Sequence, residues 1–139
     1  MNDEMNIVDT IISQYDNFFM GAIEFRNKQN GIIRKECSRL LEELENESLL
    51  IDEVFEEFNK TNDLLNQDFQ KKQNQDRGLL MEIEMSKSTL SITQLHRIEK
   101  HEHELASKMK KLMGYKNPDL VNFEKIIKKK LRKLNRKKW

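Results

Sequence analysis

Apolar residues recur every three or four positions along most of the chain, which is the spacing of one face of an α-helix. Interrupted by polar stretches, this pattern predicts four helices, at about 3–29, 32–67, 78–114 and 117–139. Asn30-Gly31 and the segment 114–118 give the clearest turn signals, because Gly, Asn and Pro favour turns. The nearly all-polar segment 68–78 predicts a central turn, with an unbroken solvated helix as the alternative.

The second predicted helix has the longest apolar stripe. Between Ile33 and Phe69 the apolar residues alternate spacings of three and four, which is the pattern of a coiled coil, although Ser48 and Asn62 interrupt it. One helix cannot bury such a stripe alone, so we expect these residues to bind a partner: Leu44, Ile51, Phe55, Phe58 and Leu65.

Two long helices joined by a short polar turn pack antiparallel. The sequence therefore predicts an all-α fold, an elongated antiparallel helical hairpin or coiled-coil bundle with a basic amphipathic C-terminal helix. In this interpretation residues 1–116 form the bundle and residues 117–139 form the basic helix.

Composition agrees with a helical fold. Of the 139 residues, 37% are hydrophobic and 35% are charged, with only four Gly and one Pro. This balance favours long amphipathic helices over a sheet with turns. No secretory leader pattern and no run of 18 apolar residues occur, so we expect a soluble cytoplasmic protein. The single cysteine, Cys37, excludes an internal disulfide and is expected to be a small core side chain.

The formal net charge of +1 conceals a division of charge along the chain. Residues 105–139 contain thirteen Lys or Arg and two acids, a balance of +11. Residues 1–104 contain twelve bases and twenty-two acids, a balance of −10. Nine of those acids lie between positions 42 and 63, where they accompany a single Lys. Each charged region is expected to contact a partner of opposite charge, either on another molecule or within the chain.

The C-terminal segment has the signals of a helix start, since Asn117 suits the N-cap, Pro118 the first helical position and Asp119 the first turn. The helix that follows is apolar on one face and basic on the rest. It can bind nucleic-acid phosphate, an anionic membrane, an acidic protein groove or the chain's own acidic region. The residues predicted to make this contact are Lys128, Lys129, Lys130, Arg132, Lys133, Arg136, Lys137 and Lys138.

The segment from His96 to Glu104 contains all three His of the chain together with three Glu, which raises the question of a metal site. Helix geometry argues against one, because His101 and His103 are two residues apart and point to different faces. The ligand patterns His-Glu-x-x-His and Glu-x-x-His are absent from the sequence. We therefore predict no metal and no cofactor, with His101 placed nearest the apolar seam.

The segment Arg77–Leu112 resembles small helical proteins encoded beside LXG-type toxins of type VII secretion in Gram-positive bacteria. The resemblance rests on an Arg-x-x-Leu start and on the ending Glu102-x-Glu104-Leu105-x-x-Lys108-x-x-Lys111-Leu112. The resemblance implies that this chain is a small helical targeting partner, which pairs with a helical domain of the toxin and helps direct the toxin to export. A Trp-x-Gly turn is missing, and the basic extension 117–139 lies outside the resemblance.

The sequence has no Gly-rich phosphate loop, no Ser-His-Asp context and no carboxylate pair in apolar surroundings, so we expect no enzymatic activity. It predicts a non-enzymatic protein-interaction module, such as an adaptor, chaperone or assembly factor. The apolar stripe is expected to bind a partner or a second copy in a dimer, and the basic tail to make an electrostatic contact. The alternative is a nucleic-acid-binding accessory protein that contacts nucleic acid through residues 125–138 of the tail. A membrane surface fits less well, and no small-molecule substrate is evident.

Overall fold

The structure, a computed structural model, describes residues 3–137, with side chains described from Ile7 to Asn135. It consists of four helices: α1 (Asp3–Glu45), α2 (Ile51–Lys87), α3 (Ile92–Gly114) and α4 (Pro118–Lys137). Residues 3–137 contain no strand, and the predicted all-α bundle with a basic amphipathic C-terminal helix is confirmed. No helix within this range combines the length and the apolar character needed to span a membrane.

The predicted break at Asn30-Gly31 is wrong, because α1 continues through both residues to Glu45. A glycine inside a helix costs only about 1 kcal/mol relative to alanine, which neighbouring contacts can offset. One such contact lies beside the expected break. Gln29 is buried, and its Nε2 donates a hydrogen bond to the carbonyl of Leu65 in α2 at 3.2 Å.

The predicted turn at 68–78 is also wrong, and the alternative of an unbroken helix is correct, because α2 runs from Ile51 to Lys87. No residue of the segment has a positive φ. Lys72 Nζ lies 2.9 Å from Asp76 Oδ1, a pair one helical turn apart that supports the helix locally. Polar composition alone does not end a helix. The observed bounds of α1, α2 and α3 therefore replace the predicted helices at 3–29, 32–67 and 78–114.

The turn between α1 and α2 is formed without glycine. Glu47 adopts a φ of 60°, the left-handed conformation that Gly usually takes after a helix. The N–H of Ser48 donates to the Glu43 carbonyl at 2.9 Å, and the N–H of Glu47 donates to the Leu44 carbonyl at 3.2 Å. These two bonds form a Schellman motif, which ends α1. Turn signals in the sequence miss it, since Glu is not a typical residue for this position.

The turn between α2 and α3 ends in a capping box. Ser91 Oγ accepts a hydrogen bond from the N–H of Gln94 at 3.3 Å, and Gln94 Oε1 accepts one from the N–H of Ser91 at 2.8 Å. Reciprocal bonds of this kind satisfy backbone donors that a helix start leaves open. The Ser-x-x-Gln spacing was readable from the sequence, but the turn was predicted elsewhere.

The predicted turn at 114–118 is confirmed, because α3 ends and α4 begins within it. Asn117 caps α4, since its Oδ1 accepts hydrogen bonds from the N–H groups of Asp119 at 2.9 Å and Leu120 at 3.3 Å. Its Nδ2 donates to the backbone carbonyl of Asn30 at 3.3 Å. The buried Asn117 side chain therefore both starts α4 and joins it to α1.

Two compact units divide the chain, and each combines two separate stretches. Unit 1 comprises Met1–Arg26 and Phe69–Tyr115, and unit 2 comprises Asn27–Asp68 and Lys116–Trp139. Helices α1, α2 and α3 supply the core of unit 1, which consists of Val8, Ile11, Tyr15, Ile83, Ile98 and Leu105. Helices α1, α2 and α4 supply the core of unit 2, which consists of Cys37, Leu40, Val54, Phe123 and Ile127.

Candidate functional site

Helix α4 packs its apolar face onto α1 and α2 within unit 2. Phe123 and Ile127 are buried, and Leu120 and Leu131 are half-buried against the same core. The ring of Phe123 lies against that of Phe58 in α2, with 5.0 Å between the ring centroids. The apolar face of α4 from Leu120 to Leu131 is therefore covered within the chain.

The opposite side of α4 is cationic. Lys125, Lys129 and Arg132 follow one another at spacings of four and three, so they form one line along the helix, with Lys128 and Lys133 on either side. All five side chains are exposed. Among the side chains that the structure describes, none forms an ion pair with these five residues, which we call the cationic face.

Four of the eight residues predicted for the electrostatic contact belong to the cationic face: Lys128, Lys129, Arg132 and Lys133. Lys130 is half-buried instead. The side chains of the remaining three lie outside the described residues: Arg136, Lys137 and Lys138. The eight predicted contact residues did not include Lys125, although its spacing of four from Lys129 places both on one side of the helix.

Some acids of unit 2 already have a partner in Arg39. Its guanidinium donates hydrogen bonds to Glu36 and Glu43 on α1 and to Glu57 on α2. The bonds to Glu36 and Glu57 raise the pKa of Arg39 above its ordinary value. This group links α1 to α2, and it engages two carboxylates of the acidic region 42–63. Position 39, between acids at 36 and 43, was a signal that sequence reasoning left unused.

A second set of acids on α2 remains exposed. Asp52, Glu56 and Asp63 lie at spacings of four and seven, which places them on one side of the helix. No ion pair to these three carboxylates occurs among the described side chains. Lys60 is exposed beside this acidic line, as we call the three residues, and is the cation closest to it along α2.

The stripe predicted to bind a partner lies in unit 2. Leu65 is buried, while Leu44, Ile51, Phe55 and Phe58 are half-buried and pack against the core that α4 completes. These side chains make contacts within the chain. Binding of a partner by the stripe stays a prediction.

The histidine segment lies on α3 in unit 1. His101 Nε2 is 2.8 Å from Asp16 Oδ1 on α1, and His103 Nε2 is 3.7 Å from Glu99 Oε1. His96 is exposed. No group of three or more His, Cys, Asp or Glu able to hold a metal is found among the described residues. Through its contact with Asp16, His101 joins α3 to α1, and it lies on α3 between the buried Ile98 and Leu105.

Comparison of the chain with protein-family models, with curated proteins and with solved structures found no match.

Proposed function

We propose that this protein is a non-enzymatic helical interaction module, of the adaptor or assembly-factor kind, that binds its partner through the cationic face of α4. The observation that supports this function is the two-sided use of α4. Its apolar side is buried in unit 2, while five exposed cations on the other side have no acidic partner among the described residues. The packing orients the charges before any partner arrives.

The strength of surface ion pairs defines what the partner must offer. A single exposed pair contributes at most about 1 kcal/mol, so useful affinity needs several anions in a matching array. Screening by salt weakens such a contact, and the binding should therefore fall as ionic strength rises. A protein surface with a line of carboxylates meets this requirement.

An exposed apolar group in unit 1 favours a protein partner. Met81 and Met85 lie one helical turn apart on α2 and are 61% and 73% exposed. Methionine adapts its shape to varied apolar surfaces. Neighbouring exposed apolar side chains mark protein contacts more often than isolated ones do.

The second candidate function is binding of nucleic acid. It is favoured by the same line of Lys125, Lys129 and Arg132, because three to five cations on one side of a helix can follow a phosphate backbone. Each phosphate neutralised would steepen the salt dependence by about 0.9 in a plot of log affinity against log salt for duplex DNA.

Photo-crosslinking tests the proposal. A photoreactive residue at Asn122 or Asn135, both exposed on α4, is introduced into the protein in the cells that express it. We expect a protein to be crosslinked, and we expect Lys125→Glu, Lys129→Glu and Arg132→Glu together to abolish the crosslink. The matched control changes three exposed cations of α3 to Glu, and it should leave the crosslink intact: Lys100, Lys108 and Lys110.

Two outcomes would count against the proposed function. A crosslink that survives reversal of the cationic face would place the partner elsewhere. Retardation of a labelled duplex DNA or RNA that only this reversal abolishes, with no crosslinked protein, would support the second candidate instead.

A further inference from the structure

The cationic face and the acidic line belong to the same unit, yet they do not meet. The apolar side of α4 packs on α1 and α2, so Lys125, Lys129 and Arg132 face away from that core. No ion pair joins α4 to the acidic line in the part of the chain that the structure describes. Each surface therefore presents unneutralised charge to a second molecule.

The acidic line is long enough to receive the whole cationic line. At a rise of about 1.5 Å per residue, the cationic line from Lys125 to Arg132 extends over about 10 Å. The acidic line from Asp52 to Asp63 extends over about 16 Å, and both lines begin with a spacing of four residues. A straight helix side of one copy can therefore lie along a straight helix side of another with opposite charges facing.

We propose that the partner of the cationic face is a second copy of this chain, which docks the acidic line of its α2 against α4. This inference rests on the proposed function, since it names the occupant of the same face. Each copy uses two different surfaces, so the contact is head-to-tail, and a dimer keeps one free surface of each kind. Association therefore continues beyond two copies or closes into a ring.

Sedimentation velocity over a range of protein concentrations tests this assembly. At about 0.05 M salt we expect the average mass of the full chain to rise with concentration, and at about 1 M salt to return to that of the monomer, because screening shortens the reach of the charges. A mass that stays monomeric at low salt and high concentration would overturn the inference.

Two neutralising variants make the test specific to the surfaces. One carries Lys125→Gln, Lys129→Gln and Arg132→Gln, and the other carries Asp52→Asn, Glu56→Gln and Asp63→Asn. In each variant we expect the association constant for self-association to fall by about tenfold or more. An equimolar mixture should form a dimer and stop there, because it retains one intact surface of each kind. A mixture that stays monomeric, or a single variant that associates like the unmodified chain, would contradict the head-to-tail contact.

Further substitutions serve as controls. Lys100→Gln, Lys108→Gln and Lys110→Gln remove the same charge from α3 and should leave association unchanged. Lys60→Gln removes the cation beside the acidic line and should strengthen self-association. Circular dichroism of each variant checks the helix content, which exposed Gln substitutions are expected to preserve. A monomeric chain whose α4 still crosslinks to another protein would overturn the self-contact and leave the proposed function standing.

Discussion

At the scale of single residues, Cys37 illustrates how burial controls the chemistry of one group. Its side chain is 2% exposed in the core of unit 2, which confirms the predicted core position. Burial, together with the nearby carboxylates of Asp119, Glu36 and Glu124, raises the pKa of the thiol to about 11. At neutral pH the thiol is therefore protonated, and the core shields it from reagents.

We predict that folding stability declines between about pH 9 and pH 11 in a way that depends on Cys37. The raised pKa means that the folded protein keeps a proton which the unfolded chain releases. The stability is complete below the unfolded pKa and is lost as the pH rises towards the folded pKa. The pKa of the thiol differs by about two units between the folded and the unfolded chain, so its titration lowers the free energy of unfolding by about 3 kcal/mol across this range.

Urea unfolding of the unmodified chain and of Cys37→Ala, across this pH range, checks the prediction. Lys87 and Tyr15 also have raised pKa values and contribute alkaline sensitivity, but both proteins share them. Cys37→Ala should show the shallower decline. Parallel declines would show that the thiol does not titrate as its burial requires.

At the scale of elements, α1 and α2 are long because each helix continues through a glycine. Gly31 and Gly78 both have open space around them and no positive φ, so the fold does not require glycine at either position. Each lowers helix propensity without ending the helix. The ends of helices depend instead on caps, such as Ser91 for α3 and Asn117 for α4.

Asn117 offers a test of what holds α4 in place. Asn117→Ala removes both the cap of α4 and the hydrogen bond to Asn30, and we expect it to lower the free energy of unfolding by about 2–3 kcal/mol. Asn117→Ser keeps a capping oxygen and loses only the donor to Asn30, so its cost should be about 1 kcal/mol.

Urea unfolding of both Asn117 variants measures these costs, and hydrogen exchange in α4 locates them. Equal losses in the two variants would mean that the bond to Asn30, and not the cap, dominates. No loss in either variant would show that apolar packing alone positions α4.

At the scale of the whole molecule, two cores share two helices. Helix α1 supplies Ile11 to unit 1 and Leu40 to unit 2, and α2 supplies Ile83 to unit 1 and Val54 to unit 2. Since each helix is continuous between these positions, loss of structure in one core removes support from helices that the other core needs.

We therefore predict a single cooperative unfolding transition. Ile98→Ala, a change in the core of unit 1, should cost about 2–5 kcal/mol. The free energy of hydrogen exchange should fall by a similar amount for the slowest-exchanging backbone amides of both units, including the amides around Leu40 in unit 2. Leu40→Ala is the matched variant and should have the reciprocal effect. Loss of protection confined to the unit that carries the substitution would show that the two cores unfold separately.

The accuracy of sequence-based prediction differed between local and distant features. The all-α class and the turn before α4 were predicted correctly, because apolar periodicity, Pro118 and the capping Asn117 act over a few residues. The predicted breaks at 30–31 and 68–78 were wrong, because composition was taken as a turn signal. A hydrogen bond from Gln29 to α2 supports the helix beside 30–31, and the local Lys72–Asp76 pair supports it within 68–78. The actual turn at Glu47 gave no signal, since a left-handed Glu is uncommon.

By itself, the sequence determined that the chain is helical, that α4 is amphipathic and that its outer residues are cationic. Only the tertiary structure decided that α4 docks on α1 and α2 within unit 2 and that Leu44, Ile51, Phe55 and Phe58 pack within the chain. It also decided that Lys125, Lys129 and Arg132 face outward without acidic partners among the described residues. The physical reason is that periodicity assigns a residue to a face of its own helix, whereas the surface that covers this face is formed by residues far away in the sequence.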